Sequence, residues 1–274
     1  KTHTVARILA LLQALAGGRL RIGLAAPTGR AAARLQESIS LARRTMPPDL
    51  AALVPEQAGT LHRLLGLMPE SGRFRRHREN PLHLDLLIID EASMIDVPLM
   101  AALLEALPPS ARLLLLGDRD QLTSVEAGSL FGDICGGGEL SWSAALSRRV
   151  NRLTGSTLAG GGGEESIADS LIMLRTSYRF GAEGGIGALA GLVKAGDQEG
   201  LAGYPLRERA ELLTARPEPA RFRGWLADHL LAGFAPCFAA AGPEAALTAL
   251  GNFRVLCALR EGPACAAGIN ALAE

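Results

Sequence analysis

The 274 residues predict an α/β fold built on a parallel sheet. Three observations carry that expectation. Leu84–Ile89 is a run apolar at every position but Asp85, the pattern of a strand buried on both faces. Leu113–Leu116 is a second such run. Stretches of helical period separate them, as in strand–helix–strand units. The chain opens with a helix over residues 3–16, where Val5, Leu9, Leu12 and Leu15, with Ile8, fall at helical spacing and Gly17-Gly18 supplies the stop. Arg21–Ala26 is a short strand entering the turn Pro27-Thr28-Gly29. Arg30–Leu41 returns to the helical period, and Pro98–Leu107 does so again. Between them, residues 68–82 are polar and basic, with Ser71-Gly72 as a turn signal. They read either as a surface loop or as a small inserted hairpin. Residues 155–165 contain four consecutive glycines, which hold neither helix nor strand without a large entropic cost. They are expected to link a first domain (1–154) to a second (166–274). In the second, Ile186–Val193 and Ala264–Ala273 read as helices and Arg254–Ala258 as a strand. Residues 215–250 are helical and carry no recognisable chemistry.

Composition narrows the class. At 48% hydrophobic residues the chain is not a disordered one. No apolar run reaches the roughly 18 residues of a membrane span, and the first residues lack the layout of a secretory signal. Cys135, Cys237, Cys257 and Cys265 are far apart, with no C-x-x-C pair, which reads as reduced thiols and a cytoplasmic location. Formal charge is zero, yet the first 80 residues hold 13 Lys and Arg against five Asp and Glu. That excess points weakly to a polyanionic partner, and an arginine-rich coding bias is the simpler explanation.

Six segments carry chemistry. In LLIIDEAS (86–93) an apolar strand delivers Asp90 and Glu91 to its tip. One carboxylate is suited to Mg²⁺ and the next to orienting or deprotonating an attacking water. Asp90 or Ser93 as a simple helix cap is the alternative. Lys1 and Thr2, followed by a helix, have the form of the end of a phosphate loop, G-x-x-x-x-G-K-[ST]. In LLLLGDRDQL (113–122) a strand ends in Gly-Asp and offers Gln121 to a γ-phosphate or its water, unless the segment is only a polar turn. In AAPTGRAAARL (25–35) Thr28, the helix start and Arg30 suit a phosphate. In TLHRLLG (60–66) Thr60 caps a short helix, with His62 and Arg63 available. In LRTSYRF (174–180) Arg179 has the setting of an arginine finger or of a packed residue beside two aromatics.

Taken in this order, the series closely resembles the superfamily 1 DNA helicases, and specifically the RecD group within them. GDRDQLTSVEAG, SYRF followed by GIGALAGLVKAGD, and the closing FRVLCALREGPACAAGIN carry the closer resemblance, which covers nearly the whole chain. It implies RecA-like P-loop motor domains, the first nearly complete and the second partial. It also implies an ATP- and Mg²⁺-dependent helicase moving 5′ to 3′ on single-stranded DNA beside RecB and RecC subunits. On this resemblance Lys1 and Thr2 match the end of the Walker A motif, with Thr2 and Asp90 on Mg²⁺. Glu91 matches the catalytic base, Gln121 the γ-phosphate sensor and Arg179 the motif IV arginine. Pro27, Thr28, Arg30, Thr60 and His62 match segments lining the single-strand path, and residues 68–82 match the small 1B hairpin. The Walker A glycines and the late helicase motifs are lacking, so the chain reads as an internal fragment, expected to bind ATP poorly and not to unwind DNA alone. GPACAAGIN is less bulky than that group's pattern and predicts a loosely packed end. A stand-alone RecD-like motor, the helicase part of a conjugative relaxase, or a non-enzymatic scaffold with a motor fold shares most of these features. A metabolic kinase leaves the Tyr-Arg-Phe segment unexplained.

Overall fold

The computed structural model describes residues 2–119, 121, 130–136, 140–158, 164–174, 185–204, 218–262 and 264–274. Contacts divide the chain into two compact units, Lys1–Thr176 and Ser177–Glu274.

The first unit begins with α1 (Thr2–Leu15), closed by Gly17 and Gly18, both left-handed at φ 61 and 74. Buried Gln13 then braces the return of the chain. Its Nε2 donates to the Leu20 carbonyl at 2.9 Å, and its Oε1 accepts from the Leu20 amide at 3.0 Å. Strand β1 (Ile22–Ala26) leads into α2 (Gly29–Arg44), and α3 (Pro48–Leu53) follows. A two-residue strand, β2 (Gly59–Thr60), runs into the short helix α4 (Leu61–Leu65). Strands β3 (Leu67–Met68) and β4 (Arg73–Phe74) form an antiparallel hairpin, so the insert is a hairpin and not an open loop. Gly72 at its turn is left-handed, φ 66. Then come β5 (Leu86–Ile89), α5 (Val97–Ala106), β6 (Arg112–Leu115), α6 (Leu130–Cys135) and α7 (Ala144–Thr154).

The sheet has the order β2-β1-β5-β6, and every pair is parallel. Strand β5 is buried throughout between helices, as its apolar run predicts, whereas β6, read as a second buried strand, is only half-buried. Residues of β5 alternate between two cores. Leu87 and Ile89 join α4 and α5 on one face, while Leu86 and Ile88 join Val5, Leu9, Leu35 and Ile39 of α1 and α2 on the other. All four are at most 3% exposed, and each contributes roughly 1.5–3 kcal/mol by burial. At the opposite end from the strand tips, Arg21 clamps Asp85. The Arg21 backbone N–H and Nε both donate to Oδ2, at 2.8 and 3.0 Å, and NH2 donates to Oδ1 at 2.7 Å. The guanidinium holds the Asp85 carboxyl at about 2, below its ordinary 3.8.

The expected linker lies partly outside the described residues. Residues just beyond it remain with the first unit: the Ser143 amide donates to Asp169 Oδ1 at 2.7 Å, and Trp142 Nε1 donates to the Leu171 carbonyl at 3.1 Å. In the second unit the described residues are helical: α8 (Gly185–Ala195), α9 (Gln198–Ala202), α10 (Phe222–Phe238), α11 (Pro243–Asn252) and α12 (Ala266–Ala273). The strand expected at Arg254–Ala258 is not formed. Phe253, Val255 and Cys257 do alternate inward, but they pack on the cluster of Leu226, Leu230 and Ile269 and have no sheet partner among the described residues. Phe234 and Phe253 meet edge to face at 4.9 Å. The end expected to be loose packs Cys265 (1% exposed) and Ile269 (8%) inside. Among the described residues no helix is long and apolar enough to cross a membrane.

Candidate functional site

In a parallel sheet the carboxyl ends of all strands share one edge, and ligands of open α/β sheets sit there. The register puts Ala26 opposite Thr60, Ala25 opposite Ile89, and Ile89 opposite Leu115. The segments leaving these positions therefore line up along the edge as Thr60–Arg63, Pro27–Arg30, Asp90–Glu91 and Gly117–Gln121. Eight of the residue assignments from sequence fall on two halves of one edge or on the helix starts beside it.

Asp90 and Glu91 leave β5 half-buried. The Asp90 amide donates to the Ala25 carbonyl at 2.9 Å, which fixes the tip against β1. Glu91 is the single non-glycine residue with positive φ among the described residues, at φ 55 and ψ 40. That left-handed conformation costs about 1–2 kcal/mol for a residue with a Cβ. Its amide donates to Asp90 Oδ1 at 2.9 Å, and the next amide, of Ala92, donates to the Leu116 carbonyl at 2.8 Å. The turn is thus set by hydrogen bonds on both sides of Glu91. The helix-cap alternative is not realised. Asp96 caps α5, its Oδ1 accepting from the Leu99 amide at 2.7 Å. Ser93 is buried in the turn Ala92–Met94. The acidic pair supplies the hard oxygen donors that Mg²⁺ requires, so the donor set fits the expected metal and nucleotide.

Next to it, β6 ends in Leu116 and the chain turns through Gly117–Gln121, with the Gln121 amide donating to the Asp118 carbonyl at 3.3 Å. Gln121 is exposed. On the other half, Thr28 caps α2, its Oγ1 accepting from the Ala31 amide at 3.2 Å, and Thr60 caps α4, its Oγ1 accepting from the Arg63 amide at 3.2 Å. Arg30 is exposed and Pro27 half-buried. A cleft of about 400 Å³ joins these two helix starts, lined by Gly29, Ala33, Gln36, Thr60 and Arg63. Gln36 was not singled out from sequence. Its Oε1 accepts from the Ala58 amide at 3.3 Å and holds the approach to β2. Seven residues past Gly29, it lies two turns along the same helix face, which is the signal that marks it. His62 is exposed and its ring lies 6.2 Å from that of Phe74, beside the hairpin. The hairpin and the loop after it add Arg73, Arg75, Arg76 and Arg78. Arg76 NH1 donates to Asn80 Oδ1 at 3.1 Å.

Comparison with known proteins fits this geometry. The AAA domain family matches residues 1–127. The RecBCD enzyme subunit RecD of Mycobacterium tuberculosis (strain ATCC 25618 / H37Rv) is 41% identical over an alignment of 274 residues, which takes in 96% of this chain and 42% of that protein. RecD of Haemophilus influenzae is 41% identical over 202 residues, 72% of this chain and 32% of its own length. The chain belongs to the RecD family. It spans about two-fifths of the length of the mycobacterial relative. An ATP-dependent RecD2 DNA helicase of Deinococcus radiodurans is also similar, at 46% identity over 109 residues, covering 40% of this chain and 13% of that helicase. Within this RecD-family chain, Lys1, the side chain of Thr2, and Arg179 lie outside the described residues, as do 120 and 122–128 of the GDRDQLTSVEAG segment. The structure brings together Asp90, Glu91 and Gln121 on one half of the edge, and Pro27, Thr28, Arg30, Thr60 and His62 on the other.

Proposed function

We propose that this chain is the motor portion of a RecD-type DNA helicase, an ATPase that moves 5′ to 3′ on single-stranded DNA as a subunit beside RecB and RecC and acts at double-strand ends. One observation carries the reading: a strained, half-buried Asp-Glu pair at the tip of a central parallel strand shares its edge with a Gln-bearing loop on one side and two threonine-capped helix starts on the other.

Bound Mg²⁺–ATP supplies a phosphoanhydride whose hydrolysis drives the cycle. Asp90 and Thr2 would hold the metal, and Lys1 would bind the β- and γ-phosphates. Glu91 accepts the proton of the attacking water, Gln121 contacts the γ-phosphate or that water, and Arg179 offsets the developing phosphate charge. The placement of α1 supports the assignment at Lys1 and Thr2. Its last turn is braced at the foot of β1, and its 14 residues span about 21 Å, the length that returns its amino end toward the strand tips. Pro27, Thr28, Arg30, Thr60 and His62 line the strand path, where backbone N–H groups and Arg side chains meet phosphate.

Glu91→Gln in the full-length protein is expected to lower DNA-stimulated ATP hydrolysis by about 10²–10⁴-fold and to leave single-strand binding without nucleotide unchanged. Undiminished hydrolysis would reject Glu91 as the proton acceptor, and absence of DNA-stimulated hydrolysis in the unsubstituted protein would reject the motor in favour of a non-enzymatic scaffold. The likeness to the Deinococcus helicase supports a second reading, a stand-alone motor. Co-purification with RecB and RecC separates the two.

A further inference from the structure

We infer that helix α6 fixes the position of Gln121 relative to the Asp90–Glu91 tip, and that Arg119 and Phe131 are positioning residues for hydrolysis. The inference rests on the nucleotide reading above and deepens it.

Gln121 is exposed on a loop, and a sensor of phosphate works only if it is held to within about 0.5 Å. The turn to Asp118 orders the loop internally but does not tether it. Two contacts with α6 supply the tether. Gly117 lies so close to the Phe131 ring that a Cβ there would stand 2.7 Å from Cε1 and 2.8 Å from Cζ. Arg119 NH1 donates to the Gly136 carbonyl at 3.1 Å, just beyond the end of α6. That carbonyl lies where a helix leaves its acceptors unsatisfied and its dipole favours a cation. Gly136 closes the helix in the left-handed conformation, φ 65, with its amide donating to the Gly132 carbonyl at 2.9 Å. Cys135 reports the same proximity: burial pushes its thiol up while the Arg119 charge opposes the shift. The other side of α6 reaches the acidic pair. The helix packs against the turn Ala92–Met94 that directly follows Glu91, and Leu130 and Phe131 join the core that contains Ile89 and Ala92. A displacement of α6 therefore moves the proton acceptor and the sensor together, and the loss of either tether uncouples them.

The test uses the full-length protein in its native assembly and measures single-strand-stimulated ATP hydrolysis. Arg119→Ala is expected to lower kcat about tenfold with KM for ATP within about twofold. Arg119→Lys, which can still reach the Gly136 carbonyl, is expected to recover most of the loss. Gly117→Ala is expected to lower kcat through its clash with the ring. Adding Phe131→Leu, which removes Cε1 and Cζ and lets the new Cβ take up the contact in their place, is expected to restore it. Unchanged kcat in Arg119→Ala, no rescue by Lys, or no rescue by the second substitution overturns the inference. So does a loss of kcat matched by a fall in thermal midpoint, which marks a purely structural contact. Glu91→Gln in parallel keeps the two readings apart. If it abolishes hydrolysis while Arg119→Ala does nothing, the inference alone fails. If Glu91→Gln also turns over ATP normally, the placement of hydrolysis at the Asp90–Glu91 tip fails with it.

Discussion

The two halves of the sheet's carboxyl edge present opposite chemistry. The β5–β6 half presents carboxylates on a strained backbone, and its loops lean on α6. The β1–β2 half presents two helix starts and exposed arginines. There both threonine hydroxyls are occupied by the amides of their own helices. Thr28 and Thr60 therefore act chiefly as the pins of their turns, which leaves Arg30 and Arg63 exposed beside them. On the proposed function the first half holds a cation and moves a proton, and the second holds phosphate. Both are hung on one sheet, in which β1 pairs directly with β5, so chemistry on one side has a short path to grip on the other.

The contrast predicts separable defects. The largest belongs to the grip. Arg30→Ala combined with Arg63→Ala is expected to weaken single-strand binding about tenfold and to flatten the salt dependence by roughly 0.7 per lost phosphate contact, with basal ATP hydrolysis unchanged. Fluorescence anisotropy across a salt series reads both, and a loss of affinity with no change of slope counts against phosphate contact. A smaller effect follows from the cap. Thr28→Ala should cost about 1 kcal/mol of stability while Thr28→Ser retains it, measured by denaturant unfolding. Equal loss in both would mean that the hydroxyl is not the pin. The smallest lies far from either half. Asp85 titrates at about 2 when folded, so its clamp with Arg21 is fully present above its ordinary value near 3.8 and is lost as pH falls toward 2. Both groups are on the surface, so the effect is slight and screened by salt. Asp85→Asn should remove that part of the acid dependence, seen as a thermal midpoint that falls less between pH 5 and 3.

The large features of the first unit were legible because each has a strong local cause. Continuous runs such as Leu86–Ile89 admit few alternatives between two helices, and Gly17-Gly18 and Thr60 mark helix ends by their own backbone chemistry. The acidic pair was legible because an apolar strand pointed at it. What escaped depends on partners distant in sequence. Gly59–Thr60 is too short to show a period and becomes a strand only beside Ala25 and Ala26. The bond from Gln36 to Ala58 joins residues 22 apart. The role of Asp96 as the α5 cap, in place of Asp90 or Ser93, follows from where the helix begins. At Arg254–Ala258 the alternation was real but misassigned, because an extended segment lying on helices shows the same period of two as a strand in a sheet.

The Arg21–Asp85 clamp acts at the feet of the two strands whose tips carry the chemistry. Paired strands can shift only in whole residues, and a shift that keeps both faces correctly inside and outside takes two, about 6.6 Å. A bond to Mg²⁺ is about 2.1 Å long. The tip of β5 therefore has discrete stops and no fine adjustment along its axis, and the clamp selects the stop. Variation that tunes such an edge is confined to its loops and to what supports them from the side.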